Sequence, residues 1–193
     1  AIDIANPYAT NFLNKNSLLL GIGTPETIYP FQDKLFIGST AGMYMYSIAN
    51  PNAPQLIKTF THATGCDPVI SDGNYAYITL HSGTRCNGIA NELDVVDVSN
   101  IQNPTLVKTY SMTSPKGLAK NGSWLMICDD SFKVFDASNP ANIILKKSIA
   151  ISNSYDVICK NNIALISATD GLYQYNYSDI NNIQLLSKIA IAQ

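Results

Sequence analysis

One phrase recurs along this chain and constrains its fold more than any local pattern: an apolar strand, a turn rich in Asn and Pro, then Leu, an apolar residue and Lys. It reads Ser47-Ile48-Ala49-Asn50-Pro51 followed by Leu56-Ile57-Lys58. It returns as Asp97-Val98-Ser99-Asn100 with Leu106-Val107-Lys108, and as Asp136-Ala137-Ser138-Asn139-Pro140 with Leu145-Lys146-Lys147. Asn176-Tyr177-Ser178-Asp179 with Leu185-Leu186 is a weaker copy, and Ala1-Ile2-Asp3-Ile4-Ala5-Asn6-Pro7 is a fifth that lacks its beginning. With Asn6, Asn50, Asn100, Asn139 and Asp179 taken as equivalent, the spacings are 44, 50, 39 and 40 residues. A period near 40 with four short strands per unit predicts a β-propeller of antiparallel four-stranded blades. A β-sandwich of similar strand count does not explain turn chemistry that repeats with the period.

The strands are bounded by turn residues. In the third unit they run Gly117-Leu118-Ala119, Trp124 to Cys128, Phe132 to Phe135 and Ile143 to Ile149, with Asn121-Gly122 as the hairpin signal between the first two. Asp72-Gly73-Asn74 and Asn161-Asn162 repeat that signal, while the Asn-Pro phrases cover the turn from third to fourth strand, where Asn bonds its own backbone and Pro fixes φ. No helical apolar stripe runs without interruption. Leu93-Asp94-Val95-Val96-Asp97-Val98-Ser99-Asn100 resembles the motif of the LVIVD-repeat proteins, and Cys66 to Cys86 and Gly171-Leu172-Tyr173-Gln174-Tyr175 are similar to lipoprotein members of Bacteroidetes type. The resemblance implies a propeller and a cell-envelope location, periplasmic or surface-exposed with a lipid anchor on the full-length protein. It implies no catalytic residues. Members are about twice as long, so this chain is expected to be a C-terminal portion, and its start at Ala1 points the same way.

Blade endings number five and blade beginnings four. Residues 24–63, 64–113, 114–152 and 153–193 read as whole blades and 1–23 as half of another. An open arc leaves strand edges and blade faces in water. The expected partner is therefore the upstream part of the same propeller, or a second copy. Net charge of −2 without a basic patch argues against nucleic acid. The 46% hydrophobic content, with 11 Tyr and 6 Phe, excludes a disordered chain, and no apolar run has the length of a membrane span.

Catalytic constellations are thin. His62 and His81 lie near loops without metal-ligand spacing, and no H-E-x-x-H, G-x-S-x-G or phosphate loop is present. Asp129 and Asp130 are adjacent, so their side chains are expected to diverge. Superposing the innermost strands gives one column, two residues before an apolar one: Glu26, Asp67, Lys116 and Asp156. At the mouth of the axial channel these charges suit a polar ligand, or a divalent cation held by Glu26, Asp67 and Asp156; bonds to nearby backbone amides would also account for them. The second unit carries an insertion, residues 81–91, on the same face, where His81 and Arg85 suit an anionic or sugar ligand. The expected function is a non-catalytic binding or scaffold module with a protein or carbohydrate ligand and no cofactor. The competing reading is a metal-assisted hydrolase with its ion in the axial mouth. Chain direction puts Cys66 and Cys86 on one face about a strand apart, which predicts a Cys66–Cys86 disulfide, and separates Cys128 from Cys159 by the height of a blade, which predicts two buried thiols.

Overall fold

In each blade the chain goes out from the propeller axis in four antiparallel strands, as short alternating runs with two-residue turns require. The computed structural model describes residues 2–3, 6, 8, 11–12, 23–40, 42–66, 68–83, 88–151 and 153–191. β1 (Ile2–Asp3) and β2 (Asn11–Phe12) form a short antiparallel pair. The first blade is β3 (Pro25–Phe31), β4 (Lys34–Ser39), β5 (Gly42–Ser47) and β6 (Gln55–Phe60). The second is β7 (Val69–Ser71), β8 (Tyr75–Leu80), β9 (Glu92–Asp97) and β10 (Thr105–Ser111). The third is β11 (Leu118–Asn121), β12 (Trp124–Cys128), β13 (Phe132–Asp136) and β14 (Ile144–Ile149). The fourth is β15 (Ser154–Lys160), β16 (Ile163–Ala168), β17 (Gly171–Asn176) and β18 (Gln184–Ala190). The chain is thus an all-β propeller of four such blades, without helix among the described residues.

The repeated turn has one physical cause. The side-chain oxygen of Asn50 accepts the backbone N–H of Asn52 at 3.1 Å, and Asn100, Asn139 and Asp179 do the same for Gln102, Ala141 and Asn181. Asn6 accepts from Tyr8 at 3.0 Å in the same way. The five residues aligned by sequence therefore make one bond. Beyond the turn, each outermost strand slips its register by one residue at the same place, after Leu56, Leu106, Leu145 and Leu185. The hairpin of the third blade sits one residue later than Asn121-Gly122 suggests. Asn121 pairs with Trp124, and the turn is Gly122-Ser123, with Gly122 at φ 58°. In the fourth blade Asn161 and Asn162 are themselves the turn, both at positive φ.

Blades pack face to face, and the register makes their columns comparable. Met43, Leu93, Phe132 and Leu172 stand at the same position, on the face turned toward the following blade. The first three are at most 1% exposed, packed on the next sheet, whereas Leu172 is 38% exposed. On the innermost strand the same contrast separates Ile70, 7% exposed, from Ile158, 68% exposed. The far face of the fourth blade is built like the other three and lies open to solvent.

Candidate functional site

The beginnings of the four innermost strands converge on a cavity of about 300 Å³ at one end of the axis. Glu26, Lys116 and Asp156 all line it, and so does His81 from the start of the insertion. Asp67, Arg85 and Cys86 lie outside the described residues. The column itself is corrected in the last blade. Strand β15 pairs Ser154 with Ala168 but Asp156 with Ser167, so Tyr155 is an extra residue. In β3, Glu26 is the extra residue between Pro25 and Thr27. Tyr155 is therefore the structural counterpart of Glu26, and Asp156 stands one step further in, level with Thr27. Both strands carry the same bulge, so the offset lies in the phase: two apolar residues are adjacent here, and the buried Val157, not the exposed Ile158, is the counterpart of Ile28.

Lys116 is held at its root by three blades. Its N–H donates to the Cys128 carbonyl at 2.7 Å, and its carbonyl accepts the Thr79 hydroxyl at 2.6 Å. The next N–H, of Gly117, donates to the Tyr155 carbonyl at 2.9 Å. Gly117 has no alternative there, because a Cβ would stand 2.6 Å from Asp156 Cα and collide with that residue's carboxylate. The Lys116 ammonium lies 4.9 Å from the centre of the Tyr155 ring, near enough for an attractive cation–π contact. Asp156 accepts the N–H of Val157 at 2.9 Å through Oδ1.

His81 pairs with Cys66 across a short antiparallel bridge, and its Nδ1 lies 3.1 Å from the Ser82 carbonyl. That contact bonds only when Nδ1 carries the proton, which leaves Nε2 as an acceptor in the neutral ring. Partial burial pushes the imidazole pKa down, the Lys116 charge adds to this, and Glu26 opposes it. The neutral ring therefore prevails at pH 7. Among the described residues, no three His, Cys, Asp or Glu side chains are grouped to hold a metal ion.

A second cavity of about 390 Å³ continues along the axis and shares Thr27, Pro68 and Asp156 with the mouth. Its lining mixes apolar side chains such as Ile28, Val69, Leu118 and Val157 with Thr27 and Asp156, and it includes Lys120, paired with Asp72 at 2.9 Å. Burial raises the Asp72 pKa, but the bond and charge of Lys120 with the N–H groups of Tyr75 and Asn74 outweigh it, and the net shift is downward. Asp129 and Asp130 do not diverge. Both reach Lys133, at 2.7 and 2.8 Å, and Asp129 also accepts the N–H groups of Thr113 and Ser114. That arrangement is a structural tie, buried at Asp129 and exposed at Asp130. Cys128 and Cys159 are free thiols, pushed up to about 12 chiefly by burial.

Residues 67–112 and 118–154 match the LVIVD repeat family. No curated protein sequence matches the chain. Among solved structures, a protein from Lactobacillus plantarum superposes with a TM-score of 0.74 at 11% identity, covering 92% of this chain and 59% of that one. A chain of the nidogen/laminin complex gives 0.64 at 10% identity, with 90% and 66% covered. Apo AztD from Citrobacter koseri gives 0.59 at 11%, with 83% and 47% covered. At such identities the likeness is one of fold. The chain spans about three fifths of the length of the first and just under two thirds of the second.

Proposed function

From a propeller chain that carries LVIVD repeats at residues 67–112 and 118–154, we propose a non-catalytic binding module of the bacterial cell envelope that takes its ligand at the axial mouth. One observation carries this reading: all four blades contribute to a single cavity lined by Glu26, His81, Lys116 and Asp156, with the Lys116 main chain fixed by hydrogen bonds to its neighbours. A fold that converges strand beginnings on one point suits recognition by side chains that vary without cost to the blades. The test is a thermal-shift screen of small polar ligands and divalent cations, repeated on Asp67→Asn with Asp156→Asn. Loss of every hit in the double variant, with the unliganded melting temperature nearly unchanged, supports the reading. A variant that melts early while no ligand shifts the native chain refutes it.

The envelope location rests on the resemblance to lipoprotein members and on the proposed Cys66–Cys86 disulfide, since such bonds persist in oxidising compartments. The backbone near one partner favours closure: Gly83 pairs with Gly88, and a Cβ on Gly88 would stand 3.2 Å from Gly65 Cα. Non-reducing peptide mapping checks the bridge. The open face of the fourth blade supports a further part of the reading, that this chain is completed by an upstream part of the same propeller or by a second copy. Intact mass and sedimentation of the native protein separate those two.

A further inference from the structure

The mouth holds a cation, Lys116, that no described residue pairs. Lys34, Lys120, Lys133, Lys146 and Lys188 each sit within an ion pair. Lys116 Nζ makes neither an ion pair nor a hydrogen bond among the described residues, and its one contact of note is the Tyr155 ring. Its root is pinned on both sides, so ligand binding has little backbone left to order. Around it stand acceptors. Asp156 Oδ1 is engaged by Val157, which leaves the second oxygen of an exposed carboxylate available, and the His81 tautomer leaves Nε2 available. Glu26 lines the mouth as well.

We propose that the mouth takes a small monocarboxylate bearing hydroxyl groups, of the uronic acid type, with its carboxylate on Lys116 Nζ and its hydroxyls donating to Asp156 and His81. The proposal rests on the binding-module reading and names the ligand class for that site. A single negative charge matches the one lysine that lines the mouth among the described residues. A second one would meet the Asp156 carboxylate, and like charges in one cavity are repelled. Hydroxyl donors match the acceptors that line the rest of the wall, whereas an apolar carboxylate would leave them unpaired. The half-exposed Tyr155 ring and Pro68 offer an apolar wall to the C–H face of a sugar. A cavity of about 300 Å³ lies at the small end for ligand sites and takes one sugar ring, not a chain.

Isothermal titration with D-glucuronate, D-galacturonate, D-glucose, acetate and D-glucarate tests it. The expected result is that a uronate binds at least about tenfold more tightly than glucose, acetate or the dianion, the ratio a charge-assisted bond supports. Lys116→Met should lose that margin and Lys116→Arg keep most of it, with both variants melting as the parent does. Equal binding of glucuronate and glucose, or a uronate isotherm unchanged by Lys116→Met, overturns the proposal. If the uronates fail while another ligand binds and responds to the mouth variants, this inference falls and the binding-module reading stands. If no ligand of any class binds, both fall.

Discussion

Leu93 and Leu172 occupy the same position in the second and fourth repeats of one sheet design, and they differ in what covers them. Leu93 on β9 is 1% exposed, in a cluster with Leu125, Ile127 and Ala137 of the following blade. Leu172 on β17 is 38% exposed, on the face for which no following blade exists among the described residues. Replacing each with Ala removes the same atoms. At Leu93 the loss has two parts, the transfer of the deleted methyl and methylene groups and the cavity left between two sheets; buried Leu→Ala changes of this kind cost about 3–4 kcal/mol. At Leu172 there is no second wall and hence no cavity, and only about six tenths of the side chain's burial is lost. That leaves about 1 kcal/mol at the usual area coefficient. Urea denaturation of the two variants against the parent, at low protein concentration, should show a gap of about 2 kcal/mol. The open-face assignment is refuted if Leu172→Ala costs as much as Leu93→Ala. A Leu172→Ala cost that rises with protein concentration would show the face covered by a second copy.

Gly117→Ala should destabilise the chain by about 1–3 kcal/mol, the range for forced overpacking, because its methyl meets Asp156 Cα at 2.6 Å; a melting temperature equal to the parent's would mean the third and fourth blades do not approach as described. The thiols of Cys128 and Cys159 should be nearly inert to Ellman's reagent in the native protein at pH 8, since burial pushes both up to about 12, and two equivalents should be released on unfolding in guanidinium. The Asp72 carboxyl has a folded pKa below its unfolded value near 4. Its contribution to stability is therefore complete above about pH 4 and lost as pH falls through the folded value. In Lys120→Met that part of the acid dependence should shrink, and an unchanged profile would contradict the pairing. Asn139→Ala removes the bond to the Ala141 N–H and should cost about 1 kcal/mol, as for a lost neutral hydrogen bond.

The architecture was legible because it is written in local chemistry. Asn50, Asn100, Asn139 and Asp179 recur where one side-chain oxygen closes one turn, and that bond depends on nothing further than two residues away. Alternation along each strand likewise follows from the two-residue repeat of extended backbone, so the buried faces were readable as apolar columns. Three of the charged positions around the mouth, Glu26, Lys116 and Asp156, were visible as beginnings of innermost strands, although Asp156 stands one step out of phase with Glu26. What escaped was decided between blades. That Tyr155 and not Asp156 is level with Glu26 depends on which of the adjacent apolar residues Val157 and Ile158 is buried against the preceding blade, which no pattern along one strand shows. The convergence of Asp129 and Asp130 on Lys133 depends on the sharp loop that brings β13 back beside β12, where a common cation outweighs the repulsion of adjacent carboxylates. Gly117 looked like the start of a strand, and only the approach of Asp156 from the next blade makes it a position where no side chain fits. Sequence by itself determined the repeat unit and its turns, because those energies are local. The packing of one blade against the next decided which ionisable groups are tied together, as Asp72 is with Lys120, and which ones, Lys116 among them, face the cavity.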